Sequence, residues 1–537
     1  MIGRARYRRC VNRWRRELAR EPDRDPPLPL VPGPLSNGEF VPDEPSSHDL
    51  LLRRLILEQV SRSAHRAGID RRRFLQSSAG VAATLAVYNL AGCSSGGDRR
   101  ADPSTTRSKA KTTSTAPTTG PGGTFTVPES EDVEACEGAL ASQGEFIFDV
   151  HTHHVVPDGP WRDNARRIAT MIAGLVPDGC AEADPYRCLD RTAYLHDMFL
   201  ASDTTMTLLS DVPNSGDDDA PLTFAAKRET RALAAALTHG GAPRVLIHDV
   251  IAPNFGELGA RLDAMEATAA TKEVASFKVY TAWGPGNQGY ALNDPAIGLP
   301  VVEKARDLGV RVICAHKGLP LMEFDRTHNG PDDIVAVAAM YPDMDFVVYH
   351  SAYERETTER TYDPARAATG VNSLIKAMDD HGLPPNSNVW AELGTTWREV
   401  LADPTEAAHT VGKLLKRMGE DRVLWGTDGI WYGSPQPQIM AFRAFEISPE
   451  FQQSFAYPAL TPELKRKIFG LNAAKLFGVD PEAQRCAVDA DQLATARAEH
   501  ASMVLDGAIG DPWSPRGPVT RREVLSWMGA LRVPWTP

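Results

Sequence analysis

The sequence predicts an α/β fold, a (β/α)8 TIM barrel spanning about residues 140–480, and three observations carry that expectation. Strand-like and helix-like segments alternate from Glu145 onward. The strand-like segments number eight and are mostly short apolar runs rich in Val and Ile, and five of the eight carry histidine, lysine or aspartate where the apolar run breaks off. Parallel strands buried on both faces read as continuous apolar runs, and barrels of this kind carry their chemistry at the C-terminal strand ends.

The strand candidates are Phe146–His153, Met206–Pro213, Arg244–Pro253, Ser276–Trp283, Arg311–Gly318, Asp345–Ser351, Asn388–Gly394 and Arg422–Asp428. Amphipathic stretches lie between them, among them Leu222–His239, Gly256–Ala269, Ile297–Leu308 and Thr405–Met418. Strands alternating with helices build a parallel sheet, and eight such units close a barrel. A doubly wound open sheet is the alternative, but no Gly-x-Gly-x-x-Gly follows the first strand.

The first strand ends in His151 and His153. The side-chain period of a strand is two, so both imidazoles face one way and form a ready metal chelate. A histidine-rich surface turn is the bland reading, which Asp149 and His154 keep open. The fourth strand carries Lys278, the fifth ends in His316, the sixth in His350 and the eighth in Asp428. Singly, His350 reads as a core histidine and Asp428 as a helix cap; jointly they read as one rim. His151, His153, His316 and Asp428 supply N and O donors suited to Zn2+, which lowers the pKa of bound water to about 7. Asp428 then takes the water's proton and His350 polarises a substrate carbonyl or holds an oxyanion. Tyr280, Trp283, Trp397, Trp431 and Tyr432 lie near strand ends and either shape an apolar substrate pocket or cap the rim as packing.

The pattern of HxH after strand one, histidine after strands five and six and Gly426-Thr427-Asp428 after strand eight resembles the amidohydrolase superfamily. The closer likeness is to its amidohydrolase-related branch, which includes the aminocarboxymuconate-semialdehyde decarboxylases. Gly470-Leu471-Asn472-Ala473-Ala474-Lys475-Leu476-Phe477 resembles that branch's closing helix. The resemblance implies metal ligands at His151, His153, His316 and Asp428, with His350 as the catalytic or second-metal histidine. It also implies two readings of Lys278: a carbamylated bridge between two ions, or a cationic group beside one. Barrels of this branch are often dimers, so a homodimer is a further implication.

Ahead of the barrel, Arg71-Arg72-Arg73-Phe74-Leu75-Gln76 precedes an uncharged run, Ser77 to Gly92, closed by Leu90-Ala91-Gly92-Cys93. Basic region, apolar region and small residues in that order resemble a twin-arginine signal with a lipobox. The reading implies the twin-arginine export machinery as a partner and a lipidated Cys93 anchored at the outer face of the cytoplasmic membrane. A buried helix of a small N-terminal domain is the other reading. Residues 1–70 form a polar leader much longer than an ordinary signal requires, and 94–125 read as a flexible tether. Residues 481–537 form a helical extension, with helix-like stretches at Asp489–Leu505 and Thr520–Leu531.

The chain's 537 residues are 42% hydrophobic and carry a net charge of −12, which speaks against a nucleic-acid partner. Seven cysteines without a CxxC pair speak against a zinc ribbon; Cys180 and Cys188 stand as a disulfide or as two unrelated thiols. The expected activity is a metal-dependent hydrolase acting on a C–N or C–O bond of a small carbonyl substrate. The alternative is a non-oxidative decarboxylase on the same barrel, for which Arg398 is a carboxylate contact. A binding protein that lost catalysis is a third reading, opposed by the intact ligand set.

Overall fold

Residues 28–36, 42–92, 120–177, 180–320, 324–489, 492–509 and 512–513 are described by the structure, a computed structural model. Eight parallel strands form its centre: β1 (Phe148–Thr152), β2 (Met206–Leu209), β3 (Val245–Ile251), β4 (Val274–Val279), β5 (Val312–His316), β6 (Asp345–Tyr349), β7 (Val389–Glu392) and β8 (Val423–Leu424). Each pairs with the next in sequence. The ring closes where the Val150 amide donates to the Trp425 carbonyl at 3.1 Å and Thr152 bridges Gly429. All eight expected strands are present, as a (β/α)8 barrel requires.

Alternation along each strand explains the two-sided burial. Phe148, Val150, Met206, Leu208, Val312, Cys314, Val347, Tyr349 and Trp390 pack together, and Ala473 and Ala474 of the closing helix Asn472–Phe477 join them. Their strand neighbours Phe277, Val279, Ile313, Ala315, Phe346, Val348, Val389 and Ala391 belong to the larger core that also holds the surrounding helices. The Asn472 amide donates to the carbonyls of Glu420 and Val423, each at 2.9 Å, and so ties the closing helix to β8.

Asp149 staples the first strand to the last. One carboxylate oxygen accepts from the amides of His151 and Thr427, at 3.0 and 3.1 Å, and the other accepts from the Thr427 hydroxyl. Burial pushes the Asp149 carboxyl up to about 7.

The leader expected over residues 1–70 is not simply polar in its described part, residues 28–36 and 42–70. Ser46 and Asp49 form a capping box, Gly68 ends the helix Ser47–Ala67 in a left-handed conformation, and Leu52, Ile56 and Val60 give that helix one buried stripe. The run expected as the apolar part of a signal is the helix Ser78–Gly92, and Val81, Ala82, Leu85 and Tyr88 are fully buried. A helix apolar on all sides meets the demands of a packed core as well as those of an export signal. The Tyr88 hydroxyl donates to the Leu30 carbonyl at 3.0 Å, which holds the segment Leu28–Ser36 against this layer.

The end of the expected tether is ordered as well, which corrects that boundary. Gly123–Phe125 is a strand antiparallel to Phe445–Ile447. The physical reason is Phe125, whose ring lies 5.3 Å from Phe445 and 6.5 Å from both Tyr88 and Trp397. Asn89 completes the anchor, donating to the Phe125 carbonyl and accepting from its amide, both at 2.8 Å. Cys93 and residues 94–119 lie outside the described residues. No described helix is long and apolar enough to cross a membrane.

The C-terminal extension contributes helices Pro481–Asp489 and Gln492–Leu505, and Thr520–Leu531 lies outside the described residues. Cys180 and Cys188 are joined in a disulfide.

Candidate metal centre

His151, His153, His316, His350, Lys278 and Asp428 converge on one mouth of the barrel, and each is at most 2% exposed. The imidazole centroids of His151 lie 5.1 Å from His153 and 5.0 Å from His350, and those of His316 and His350 are 4.6 Å apart. Each side chain arrives from a strand end: His151 within β1, His153 just past it, Lys278 in β4, His316 closing β5 and His350 just past β6. Asp428 follows β8 in a left-handed backbone conformation, φ 60°, with the Thr395 hydroxyl donating to its Oδ2 at 2.8 Å. His350 likewise has φ 61° and begins a left-handed turn with Ser351 and Ala352. Such backbone conformations are costly for residues other than glycine and collect at functional sites.

His151, His153 and Asp428 present donor atoms that all lie within 4.8 Å of one another. Nε2 of His151 and of His153 stand 3.5 and 3.3 Å from Asp428 Oδ1. Ligands 2.0–2.2 Å from a tetrahedral ion are separated by about 3.3–3.6 Å, so these separations fit a divalent cation. Burial lowers the imidazole of His153 to about 4 and that of His350 to about 4, and takes His151 and His316 well below the ordinary histidine range. Burial opposes charge on Asp428, yet His151, His153 and His350 hold its carboxyl well below the usual carboxylate range. Neutral imidazoles and an ionised carboxylate are the protonation states a metal needs.

The second imidazole pair fits a cation for a separate reason. His316 Nε2 faces the Leu319 carbonyl at 3.1 Å, and His350 Nδ1 faces the Gly394 carbonyl at 2.8 Å. A carbonyl only accepts, so each of those nitrogens carries the hydrogen. The remaining nitrogens, His316 Nδ1 and His350 Nε2, then present lone pairs to each other at 3.2 Å. Two facing lone pairs require a proton or a cation between them, and burial disfavours the proton. His316 thus stands beside His350 rather than inside the group formed by His151, His153 and Asp428. In this tautomer neutral His350 offers an acceptor, so it suits a ligand or a base; polarising a carbonyl or holding an oxyanion, the two roles expected from sequence, needs the protonated ring.

Lys278 is fully buried, with Nζ 3.2 Å from His151 Nε2 and 4.5 Å from the Tyr349 ring centroid. Of the expected pocket aromatics, Tyr280 packs its ring 5.4 Å from His316 and Trp431 stacks on His153 at 5.4 Å. Trp283 lies further out, against Phe255. Trp397 belongs to the outer core with Phe125, Phe442 and Phe445, which supports its reading as packing. Trp431 also lines a cleft with Leu30, Arg398, Tyr432, Gln438 and Trp513.

Sequence reasoning missed Glu392. It ends β7, is fully buried, and with His151 and His350 forms a second group of convergent donors. Burial raises its carboxyl to about 8, against the pull of the His350 and Gly394 amides, which favour the carboxylate. The signal was legible: an acidic residue closing the run Val389-Trp390-Ala391, two residues before Gly394.

A closed barrel with histidines, a lysine and an aspartate at its C-terminal mouth defines a metal-dependent enzyme of the amidohydrolase type. The amidohydrolase family model matches residues 148–479, more than half of the chain, and the protein belongs to that family. No curated protein matches the chain. Among solved structures it is similar to a 2,6-dihydroxybenzoate decarboxylase from Rhizobium, at 14% identity and a TM-score of 0.35 over 63% of this chain and 99% of that one. A dihydroxybenzoic acid decarboxylase from Polaromonas with bound manganese is similar at 13% identity and a TM-score of 0.35, over 62% and 97% of the two chains. An amidohydrolase from Mycobacterium avium subsp. paratuberculosis is similar at 14% and 0.33, over 63% and 100%. Likenesses this distant carry no argument about reaction or substrate.

Proposed function

We propose that the protein is a metal-dependent hydrolase that adds water to a C–N or C–O bond of a small carbonyl compound. The observation that carries the reading is the buried group of His151, His153 and Asp428, whose donor atoms lie within 4.8 Å of one another at a single barrel mouth. These residues would hold the ion, with His316 and His350 completing the set, and Zn2+ suits their mixture of imidazole and carboxylate. When bound, such an ion lowers the pKa of water to about 7 and polarises a carbonyl. The Asp428 carboxylate accepts the proton lost by the attacking water. Trp431, stacked on His153 and shared with the neighbouring cleft, forms an apolar wall for the substrate.

A decarboxylase reading is supported by one feature, the guanidinium of Arg398. It lines the same cleft, 4.6 Å from the Tyr432 ring centroid, where it would grip a carboxylate. Turnover in 18O-labelled water separates the two. Label in the product with no carbon dioxide supports hydrolysis; carbon dioxide without water uptake overturns it.

Export and lipid anchoring at Cys93 complete the proposal. The support is the ordered series Arg71-Arg72-Arg73, apolar run and Leu90-Ala91-Gly92-Cys93. Cleavage before Cys93 would remove the helix Ser78–Gly92 from the barrel, so its burial would belong to the precursor alone.

A further inference from the structure

We infer that Glu392 is the positioning residue of the metal centre, fixing the tautomer of His151 and the backbone of His350 with one carboxylate; the inference rests on the metal-centre reading above. His151 Nε2 faces the Lys278 ammonium at 3.2 Å, and an ammonium only donates. Nε2 therefore holds the lone pair and Nδ1 the hydrogen. Nδ1 is buried and without a hydrogen-bond partner, and the carboxylate beside it is that of Glu392, with Oε2 3.4 Å away. The same Oε2 accepts from the His350 amide at 3.0 Å, at the entry to the left-handed turn His350-Ser351-Ala352. The Ser351 hydroxyl adds a bond to the Glu392 carbonyl at 2.7 Å. One residue thus restrains two imidazoles that approach the ion from different strands.

The surroundings are built for this carboxylate. A Cβ at Gly426 would stand 1.7 Å from Glu392 Oε1, and one at Gly394 would stand 2.4 Å from that oxygen and 2.8 Å from His151 Nδ1. Glycine at both positions clears the space, and the Gly394 amide donates to Oε1. A carboxylate behind a ligating histidine fixes its ring and raises its basicity, and losing such a partner weakens metal binding about 10–100-fold.

The test uses the full chain, stripped of metal and titrated with Zn2+ and Co2+, as wild type, His151→Ala and Glu392→Gln. Gln keeps the size of Glu but must turn an amide N–H toward either the His350 amide, the Gly394 amide or His151. We expect Glu392→Gln to bind Zn2+ about 10–100-fold more weakly, while its Co2+ absorption at saturation matches wild type because the ligands are unchanged. Selective 15N labelling of histidine should show His151 as the Nδ1–H tautomer in wild type and as a mixture in the variant. If Glu392→Gln does not fold, Gly394→Ala displaces the same carboxylate without deleting it and is expected to weaken binding likewise. Wild-type Zn2+ affinity in a folded variant overturns the inference. A changed Co2+ spectrum at saturation also overturns it, by making Glu392 a ligand. A wild type that takes up no metal overturns the functional reading instead.

Discussion

At the mouth of the barrel the state of each imidazole is set by what its far nitrogen touches. His316 and His350 spend one nitrogen each on the carbonyls of Leu319 and Gly394, and His151 turns one toward Glu392. The free lone pairs then point inward without any side chain having to move. Removing Asp428, the one carboxylate in the group with His151 and His153, should abolish turnover. We expect Asp428→Ala to fold, to lose its metal and to show a fall in kcat beyond 1,000-fold; retained turnover would remove Asp428 from the chemistry. Gly426→Ala tests the space around Glu392, since its Cβ would overlap Oε1. Overpacking of this kind costs about 1–3 kcal/mol, read as a lowered urea midpoint, with metal content falling alongside. At this scale the sequence was readable where chemistry-bearing residues interrupt apolar runs: His151, His153, Lys278, His316, His350 and Asp428 all reach one mouth. Glu392 escaped because its partner is a ring nitrogen on a strand 241 positions away, and sequence spacing does not show which nitrogen faces where. Trp397 stands just past a strand end too, but it lies in the short helix Thr396–Val400, where it packs against Phe442 and Phe445.

Among the elements, the seam between β1 and β8 is held by few contacts, because β8 is only Val423–Leu424. Asp149 compensates with three bonds across or along that seam. Thr427→Val leaves the buried Asp149 with one acceptor position empty. We expect a loss of about 1–3 kcal/mol, measured by chemical unfolding; unchanged stability would show that the seam does not need the staple. On the helix Pro404–Met418, His409 is buried among Phe451, Phe455 and Tyr457, and burial lowers its imidazole to about 3. The unfolded chain takes a proton near pH 6.5 and the folded chain does not until about pH 3, so His409 withdraws stability as pH falls through that window. From pH 7 to pH 5 this amounts to about 2 kcal/mol. His409→Phe should therefore show a smaller drop in Tm over that range than wild type, and an equal drop would contradict the assignment. Eight strands were legible because burial on both faces leaves an unbroken apolar run. The helix Ser47–Ala67 was legible in principle through Ser46, Asp49 and Gly68, but its single apolar stripe is diluted by arginines on the open face.

For the molecule as a whole, the N-terminal layer and the barrel share a core. Tyr88, Phe125, Trp397 and Phe445 lie in one cluster, and Leu28–Ser36 reaches the cleft that Trp431 shares. An apolar helix of fifteen residues satisfies an export signal and a protein core alike, so composition alone left both readings open. Mass spectrometry of the protein recovered from its own cell distinguishes them. A first residue at Cys93 carrying a lipid supports the anchored form; a chain that keeps Ser78–Gly92 contradicts it.

The claim on which all of this depends is that separate strands deliver their side chains to a divalent cation. Elemental analysis of the purified full-length protein, wild type beside His151→Ala, tests it most directly. One or two equivalents of a divalent metal are expected in the wild type, with a marked loss in the variant. A folded, active wild type holding no stoichiometric metal would contradict it.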